Sequence, residues 1–436
     1  MILFSTNITK RQDFSYIACI QINNIMRLKA FILTLLVSFS ALAQTEQQQL
    51  PFSVSGSVVD AQDGHALQYV NVTIPGLNYA TVTNTDGAFV IKSSTQPHSL
   101  EFNLLGYKSV RIPAPSDGSP IIVKMQKNVL TLNEAKVIAG DPYEILDEAI
   151  RRIKVNYSDK VETFDCFYRE TIQKRNRFIY ISEAVSRMVK NPYTRFSSEW
   201  DRVAVDKSRV LASTNKKDTL SVVVVGGPTQ AVDLDIVKND MLLTRQEIAN
   251  YYLGMDVPTM IGDRMQYAIR LTPAVVTGYP LYEGVIYIDR ETFAFTRFDL
   301  SLDMRDKDKV TNAILIRKPA GLRFTPTEVN LRYDYTLSEG VSRVSYVRTT
   351  MRFKCDWKKR LLRSDFTAVS ELVTTDRRSG DVAPITKKEA FGRHDALFEK
   401  ATYNFDPEFW KDYNIIEPTE SLDRAIGRIK KQTERN

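Results

Sequence analysis

The sequence predicts a mainly β protein, in which a seven-stranded β-sandwich precedes a large, curved, half-barrel-like antiparallel sheet with a few helices. Apolar and polar residues alternate over many short stretches, as they do along strands that bury one face. Turn signals such as Asp86-Gly87 separate these stretches. The 436 residues include 20 Tyr and 21 Phe but only 18 Gly and 17 Pro, a composition that favours ordered, strand-rich structure.

Residues 1–43 have the pattern of a secretory signal preceded by extra residues. Met26-Arg27-Leu28-Lys29 supplies two cations ahead of an apolar run, and Ala41-Leu42-Ala43 fits the small-x-small cleavage rule. The apolar run is shorter than the roughly 20 residues that a spanning helix needs. We expect translation to start at Met26 and cleavage to fall before Gln44. Residues 44–51 form a polar linker to the first domain.

Residues 52–127 are predicted to form the sandwich, since about seven short strands alternate there with turn signals. Four strings carry a family resemblance: Gly56-Ser-Val-Val-Asp60, Ala66 to Val72, Thr83 to Phe89, and Leu105 to Lys108. They resemble the carboxypeptidase regulatory-like domain, a transthyretin-like sandwich common in exported proteins of Bacteroidetes-type bacteria. The resemblance implies an accessory module that often precedes outer-membrane proteins, and therefore an envelope protein partner.

Histidine is too scarce for most hydrolytic sites. The chain has three His, whereas zinc hydrolases and Ser-His-Asp hydrolases depend on several placed imidazoles or a triad. His98-x-x-Glu101 has the spacing of two zinc ligands, but it leads into a predicted strand. Its two side chains would then face opposite sides. We expect no catalytic residue, no cofactor and no metal ligand.

The second part of the chain is predicted as a linker strand at 130–137 and a helix within residues 128–158, followed by a large antiparallel β domain over 159–385. Strands of that domain are predicted at 220–225 and 311–317, among others, and a helix is predicted near 244–253. Asp141-Pro142 predicts the start of the helix. Pro280 to Arg297 contains two strands around an Asp-Arg-Glu-Thr turn. This hairpin loosely resembles the outer-membrane lipoprotein carrier and sorting fold, an unclosed barrel. The resemblance implies a concave face that holds an acyl chain.

Residues 386–436 are predicted as an aromatic segment followed by a basic helix capped by Thr419. Phe409, Trp410 and Tyr413 lie in a stretch punctuated by prolines. One interpretation is an aromatic plug that packs on the sheet. The other is a docking tail for a membrane partner or an anionic surface, with these three aromatic residues as its contacts.

Two further sites stay open at the sequence level. Cys166 and Cys355 could pair in an oxidising compartment, or could be buried free thiols in strands. Asp218-Thr219-Leu220 resembles an O-glycosylation acceptor of these bacteria, with Thr219 as the acceptor.

Charge and composition limit the functions. Residues 1–43 carry +3 of the total +7, which leaves a mildly basic mature chain of +4, so no nucleic-acid partner is expected. The leading hypothesis is a non-enzymatic cell-envelope protein in the periplasm or at either face of the outer membrane. In this hypothesis, the sandwich is a docking module, and the large sheet is a scaffold or binding surface. The alternative is a periplasmic carrier or sensor of a lipid, acylated or apolar ligand in a half-barrel cavity.

Overall fold

The predicted sandwich and the predicted large sheet are both present. The computed structural model describes residues 51–128, 140–194, 197–215, 218, 220–239, 241–357, 364–378 and 383–435. The predicted signal peptide and the predicted strand at 130–137 lie outside these residues. No helix in the described ranges has the length and apolar character needed to cross a membrane.

The sandwich consists of two sheets whose apolar faces meet. Its seven strands are β1 (Phe52–Asp60), β2 (Asn71–Thr73), β3 (Ala80–Val82), β4 (Ala88–Ser93), β5 (Ser99–Asn103), β6 (Val110–Pro113) and β7 (Ile121–Met125). One sheet has the order β4-β1-β7, with β1 and β7 parallel, and the other has the order β3-β2-β5-β6. Phe89 and Phe102 meet edge to face between them, with ring centroids 5.3 Å apart.

A helical segment follows the sandwich, and it begins where the sequence predicted. Helix α1 spans Pro142–Arg151 and α2 spans Ile153–Asn156. The Asp141 side chain accepts from the backbone N–H of Tyr143, and Pro142 occupies the first turn. An N-terminal cap of this kind satisfies a donor that has no intrahelical partner.

The large sheet has twelve strands and is not closed. In chain order they are β8 (Glu162–Lys174), β9 (Arg177–Lys190), β10 (Arg202–Ala212), β12 (Tyr251–Met255), β13 (Thr259–Ile261), β14 (Arg264–Pro273), β15 (Tyr282–Asp289), β16 (Phe295–Leu302), β18 (Leu322–Ser338), β19 (Val341–Trp357), β20 (Ser364–Arg378) and β21 (Thr402–Tyr403). The spatial order is β12-β14-β15-β16-β18-β19-β20-β8-β9-β10-β21, with β13 also on β14. The pairing of β10 with β21 is parallel, so the sheet is mixed rather than purely antiparallel.

The hairpin predicted around the Asp-Arg-Glu-Thr turn is β15 with β16. Tyr282 lies opposite Leu302, and the strands converge on the turn that begins at Asp289. The Asp289 carboxylate accepts from the backbone N–H groups of Glu291 and Thr292 and from the Thr292 hydroxyl. A side chain that satisfies several turn donors fixes the turn, as Asp commonly does.

Three local predictions differ from the structure. The strand expected at 311–317 is mostly helix α5 (Lys307–Ile314), followed by the short β17 (Leu315–Arg317). Asp306 caps that helix, and Val310 and Ile314, four residues apart, are its buried residues. The strand expected at 220–225 is only β11 (Val223–Val224), which pairs with β17. The helix expected at 244–253 is a single turn, Arg245–Ile248, and β12 begins at Tyr251.

The remaining helices are short, except the last. They are α3 (Gln230–Asp233), α4 (Arg245–Ile248), α6 (Leu397–Lys400), a 3₁₀ turn (Pro407–Trp410) and α7 (Glu420–Thr433). Thr419 caps α7 by accepting from the backbone N–H of Leu422, as predicted. Leu422, Ala425 and Ile429 form its buried face.

The two faces of the large sheet are covered differently. The helix-covered face packs against α1, α2 and residues 230–239 and 241–248, and α5 covers its other end. One apolar cluster on this face contains both Val203 of β10 and Tyr251 of β12, from opposite ends of the sheet. The sheet therefore curves around this cluster. The sandwich-covered face packs against the sandwich and the C-terminal residues.

Candidate functional site

The helix-covered face, where a carrier would hold an acyl chain, is filled by the protein's own side chains. Phe295 and Phe298 stack with centroids 5.3 Å apart, and both are fully buried. Tyr157 contacts the rings of Tyr193 and Tyr335 at 4.9 and 5.5 Å. Interiors packed in this way gain dispersion energy that an empty ligand channel would forfeit.

A buried polar network lies within the same face. Asp235 accepts from Lys190, from the Tyr193 hydroxyl at 2.7 Å and from Tyr335. Lys238 donates to Asp201 at 2.6 Å, while burial lowers its pKa. Buried charges are tolerated only with partners of this kind. The network therefore ties Asp235 to the end of β9 and Lys238 to the residue before β10.

A second polar cluster anchors the Gly226-Gly227 turn. The Tyr168 hydroxyl accepts from the backbone N–H of Gly227 at 2.8 Å and donates to Glu170 at 2.8 Å. Burial raises the pKa of Glu170. A Cβ on Gly226 would lie 2.8 Å from the Glu170 carboxylate, so this position accepts only glycine without rearrangement.

On the sandwich-covered face, Trp410 is buried, and its polar partner lies on the large sheet. Its indole Nε1–H donates to Glu183 at 3.0 Å. Arg169 and Arg209 donate to the two oxygens of the same carboxylate, each at 2.7 Å. Burial would raise the pKa of Glu183, but the two guanidinium groups outweigh it and hold the pKa at about 2. A carboxylate between two arginines thus positions the indole.

The other two predicted docking residues also face the protein. The ammonium group of Lys207 lies 4.2 Å from the Phe409 ring centroid and 5.4 Å from that of Tyr413. It also donates to the Phe409 carbonyl at 2.6 Å. Such cation–π contacts stabilise a partly buried aromatic cluster. The structure therefore brings Phe409, Trp410 and Tyr413 together, with Trp410 buried and the other two half-buried.

Residues 405–419, here called the C-terminal strap, also hold the sandwich. Asn414 exchanges two hydrogen bonds with the backbone of Lys92, at 2.6 and 2.9 Å. The Thr81 hydroxyl donates to the Ile415 carbonyl at 3.0 Å. The Asn84 amide donates to the carbonyls of residues 417 and 418. The strap thus contacts the sandwich on one side and the large sheet on the other.

A direct contact between sandwich and sheet centres on Tyr69. Its ring stacks on Tyr346 with centroids 5.5 Å apart. The guanidinium groups of Arg332 and Arg348 lie 5.3 and 5.0 Å from the Tyr69 ring centroid. Tyr69 has φ of 59°, a left-handed conformation that is costly for a residue with a bulky side chain. The surrounding contacts hold it there.

The candidate modification and disulfide sites are placed as follows. Cys166 lies in β8 and Cys355 in β19, in different apolar clusters, and both are buried free thiols. Thr219 lies outside the described residues, so the O-glycosylation site stays a prediction. Its neighbour Asp218 is buried and pairs with Arg177.

One group of potential metal ligands occurs among the described residues, in the turn after β1. Oxygen or nitrogen atoms of Asp60, Asp63 and His65 lie within 4.8 Å of one another. Asp60 already accepts from the Tyr107 hydroxyl at 2.9 Å and lies 3.4 Å from Lys127. These partners account for its buried carboxylate without an ion.

Sequence reasoning missed the buried charges that organise both faces. Glu183 and Lys190 on β9 and Arg169 on β8 are almost fully buried. Their one sequence signal is a charged residue within an otherwise apolar strand. That signal does not identify the partner of each charge. Asp235, the partner of Lys190, lies 45 residues along the chain, and Trp410, a partner of Glu183, lies 227 residues along it.

Comparisons with known proteins identify the first domain. Residues 54–137 match the family model of the CarboxypepD_reg-like domain, which confirms the resemblance stated for the sandwich. That match covers a minor part of the chain. The search among curated proteins gave no match.

Solved structures similar to the chain have low scores. A LolA superfamily protein from Nitrosomonas europaea is 14% identical, with 56% of this chain and 96% of that chain covered and a TM-score of 0.23. A DUF1329 family protein from Desulfovibrio piger is 11% identical, with 54% and 94% covered and a TM-score of 0.22. The first agrees with the resemblance expected for the large sheet, but TM-scores this low support no argument about function.

Proposed function

We propose that the protein is a non-catalytic component of the bacterial cell envelope. In this proposal the sandwich is a docking module for an outer-membrane or other envelope protein, and the large sheet is the scaffold that carries it. The supporting observation is that the helix-covered face is filled. Aromatic rings and the Asp235 network occupy the place where a carrier of this general shape would need a cavity.

The mounting of the sandwich supports a scaffold as well. The C-terminal strap bonds to both domains, and Tyr69 stacks directly on Tyr346. Domains that move relative to each other usually share small polar interfaces. Here buried rings and paired charges join them, so the sandwich is presented in one orientation.

The absence of a catalytic role is supported by how the charged groups are used. Glu183, Asp235 and Lys238 are all buried and each contacts groups of opposite charge. A catalytic group must reach a substrate in a plausible pose. These three are committed to internal pairs. Export rests on the sequence alone, and we place the mature chain in the periplasm or at the outer membrane.

Native mass spectrometry of the chain expressed with export tests the choice between scaffold and carrier. We expect the mass of the chain beginning at Gln44, without an adduct. A lipid-sized adduct that disappears on denaturation would contradict the scaffold and favour the carrier. A mass that retains residues upstream of Gln44 would contradict export with the predicted cleavage.

Site-specific photocrosslinking in cells tests docking by the sandwich. Ile122 on β7 is 71% exposed and Val276 on the loop before β15 is 86% exposed. A benzophenone amino acid replaces each residue in turn. We expect a discrete crosslinked envelope protein from position 122 and none from the matched control at 276. Crosslinking only from 276 would transfer docking to the large sheet.

A further inference from the structure

An open cavity of about 640 Å³ lies at one corner of the large sheet. It is bordered by α2 and the turn that follows, by the start of β19 and by the end of β20. The charged residues among those that line it are Lys154, Asp159, Lys160, Glu162, Arg343, Arg377 and Arg378. Five of these seven are cations, so the lining has a positive excess.

The floor of the cavity is a pair of arginines around one carboxylate. Glu162 accepts from Arg343 at 2.8 Å and lies 3.7 Å from Arg377. These three side chains are only 13–22% exposed. The two guanidinium groups are partly enclosed, where electrostatic attraction is stronger than in bulk water.

The arginines are held in place before any ligand arrives. Arg343 also donates to the carbonyl of Ser338 at 2.9 Å. Arg377 donates to Glu339 at 2.7 Å, and Arg378 pairs with Asp165 at 2.8 Å. Even with Glu339 and Asp165 included, cations outnumber carboxylates by one. Arginines fixed in this way suit oxyanions, whose paired oxygens match the guanidinium fork.

Two lysines and two valines form the rim. Lys154 and Lys160 are exposed, and neither makes an ion pair with a residue that the structure describes. Val155 and Val161 are 69% and 59% exposed and also line the cavity. The rim therefore offers both uncommitted positive charge and an apolar surface next to the arginine floor.

We propose that this cavity binds an anionic amphiphile. A phosphate or carboxylate group would lie on the arginine floor within reach of Lys154 and Lys160, and an apolar portion would contact Val155 and Val161. This site is separate from the docking surface of the sandwich, and it does not depend on the proposed scaffold function.

Binding of dodecyl phosphate below its micelle concentration, measured by isothermal titration calorimetry at low salt, tests the proposal. The variant Lys154→Ala/Lys160→Ala should raise Kd at least about fivefold, since it removes two charges that face the anion. The matched control Lys108→Ala/Lys124→Ala changes two exposed lysines of the sandwich and should leave Kd unchanged. Equal losses in both variants, or no saturable binding, would overturn the proposal.

Two further arms identify the chemistry of the ligand. Dodecyl maltoside, which has the same chain and no charge, should not compete, and competition by it would overturn the role of the anion. Inorganic phosphate should bind at least about tenfold more weakly than dodecyl phosphate, because it cannot bury apolar area. Val155→Ser/Val161→Ser should reduce that difference. Equal affinity for the two probes would overturn the amphiphile and leave a site for a free oxyanion.

Discussion

Trp410 donates its indole N–H to Glu183 at 3.0 Å, and this bond joins the C-terminal strap to the centre of the sandwich-covered face. Glu183 is fully buried and lies between Arg169 and Arg209. A buried carboxylate is stable only when such partners offset the free energy of its lost hydration. The C-terminal residues are therefore part of the folded core, and the strap, with Tyr69, fixes the sandwich on the sheet.

Trp410→Phe should lower the free energy of unfolding by about 2–4 kcal/mol, because it removes a hydrogen bond to a charged group and leaves a small cavity. Urea denaturation followed by circular dichroism measures this. Trp200→Phe is the matched control, since Trp200 is 59% exposed, and its effect should stay within about 0.5 kcal/mol. Equal effects of the two variants would show that the strap contributes little.

Asp376→Asn should stabilise the protein at pH 7 and have little effect at pH 4. Burial raises the pKa of Asp376 to about 6. Folding therefore favours the protonated form of Asp376. As the pH rises from about 4 to 6, this residue increasingly lowers the free energy of unfolding. With solvent screening at this half-buried group, we expect a gain of about 1 kcal/mol at pH 7.

Thermal unfolding at the two pH values measures this difference. Asp365→Asn, at an exposed carboxylate on the same strand, is the control, because surface substitutions usually change stability by less than about 0.5 kcal/mol. A gain for Asp376→Asn that is equal at pH 4 and pH 7 would contradict the titration.

Gly226→Ala should destabilise the fold by about 1–3 kcal/mol, because the new Cβ would lie 2.8 Å from the Glu170 carboxylate. Gly254→Ala is the matched control, since a Cβ there meets nothing within 4 Å. Chemical denaturation of both variants decides the point. A neutral Gly226→Ala would mean that the Tyr168–Glu170 cluster moves aside at no cost.

Cys166 and Cys355 should both be unreactive thiols in the folded protein. Burial raises the pKa of both, that of Cys355 to about 12, and the thiolate is the reactive form. A thiol reagent should label neither residue in native buffer and both in concentrated guanidinium. No labelling under denaturing conditions without reductant would reveal a disulfide instead.

Local patterns predicted those elements whose signals are local. The Asp141-Pro142 start of α1, the Thr419 cap of α7 and the hairpin at Asp289 were recoverable because cap and turn geometry depend on residues within a few positions. Residues 311–314 were predicted as part of a strand, but they form the end of α5. Its Asp306 cap was overlooked, and the burial of Val310 and Ile314 comes from packing against the large sheet.

The strand-rich class, the seven-stranded sandwich and the family resemblance of residues 52–127 were predictable from the sequence, because alternation and turn chemistry depend on neighbouring residues. Three features became visible only in the folded chain: the helix-covered face is filled, Phe409, Trp410 and Tyr413 pack inward, and Arg343 and Arg377 contact Glu162. The cause is the separation along the chain between the residues that interact. Burial, charge pairing and cavities arise where strands far apart in the chain become neighbours, and no local pattern records which partner each side chain will find.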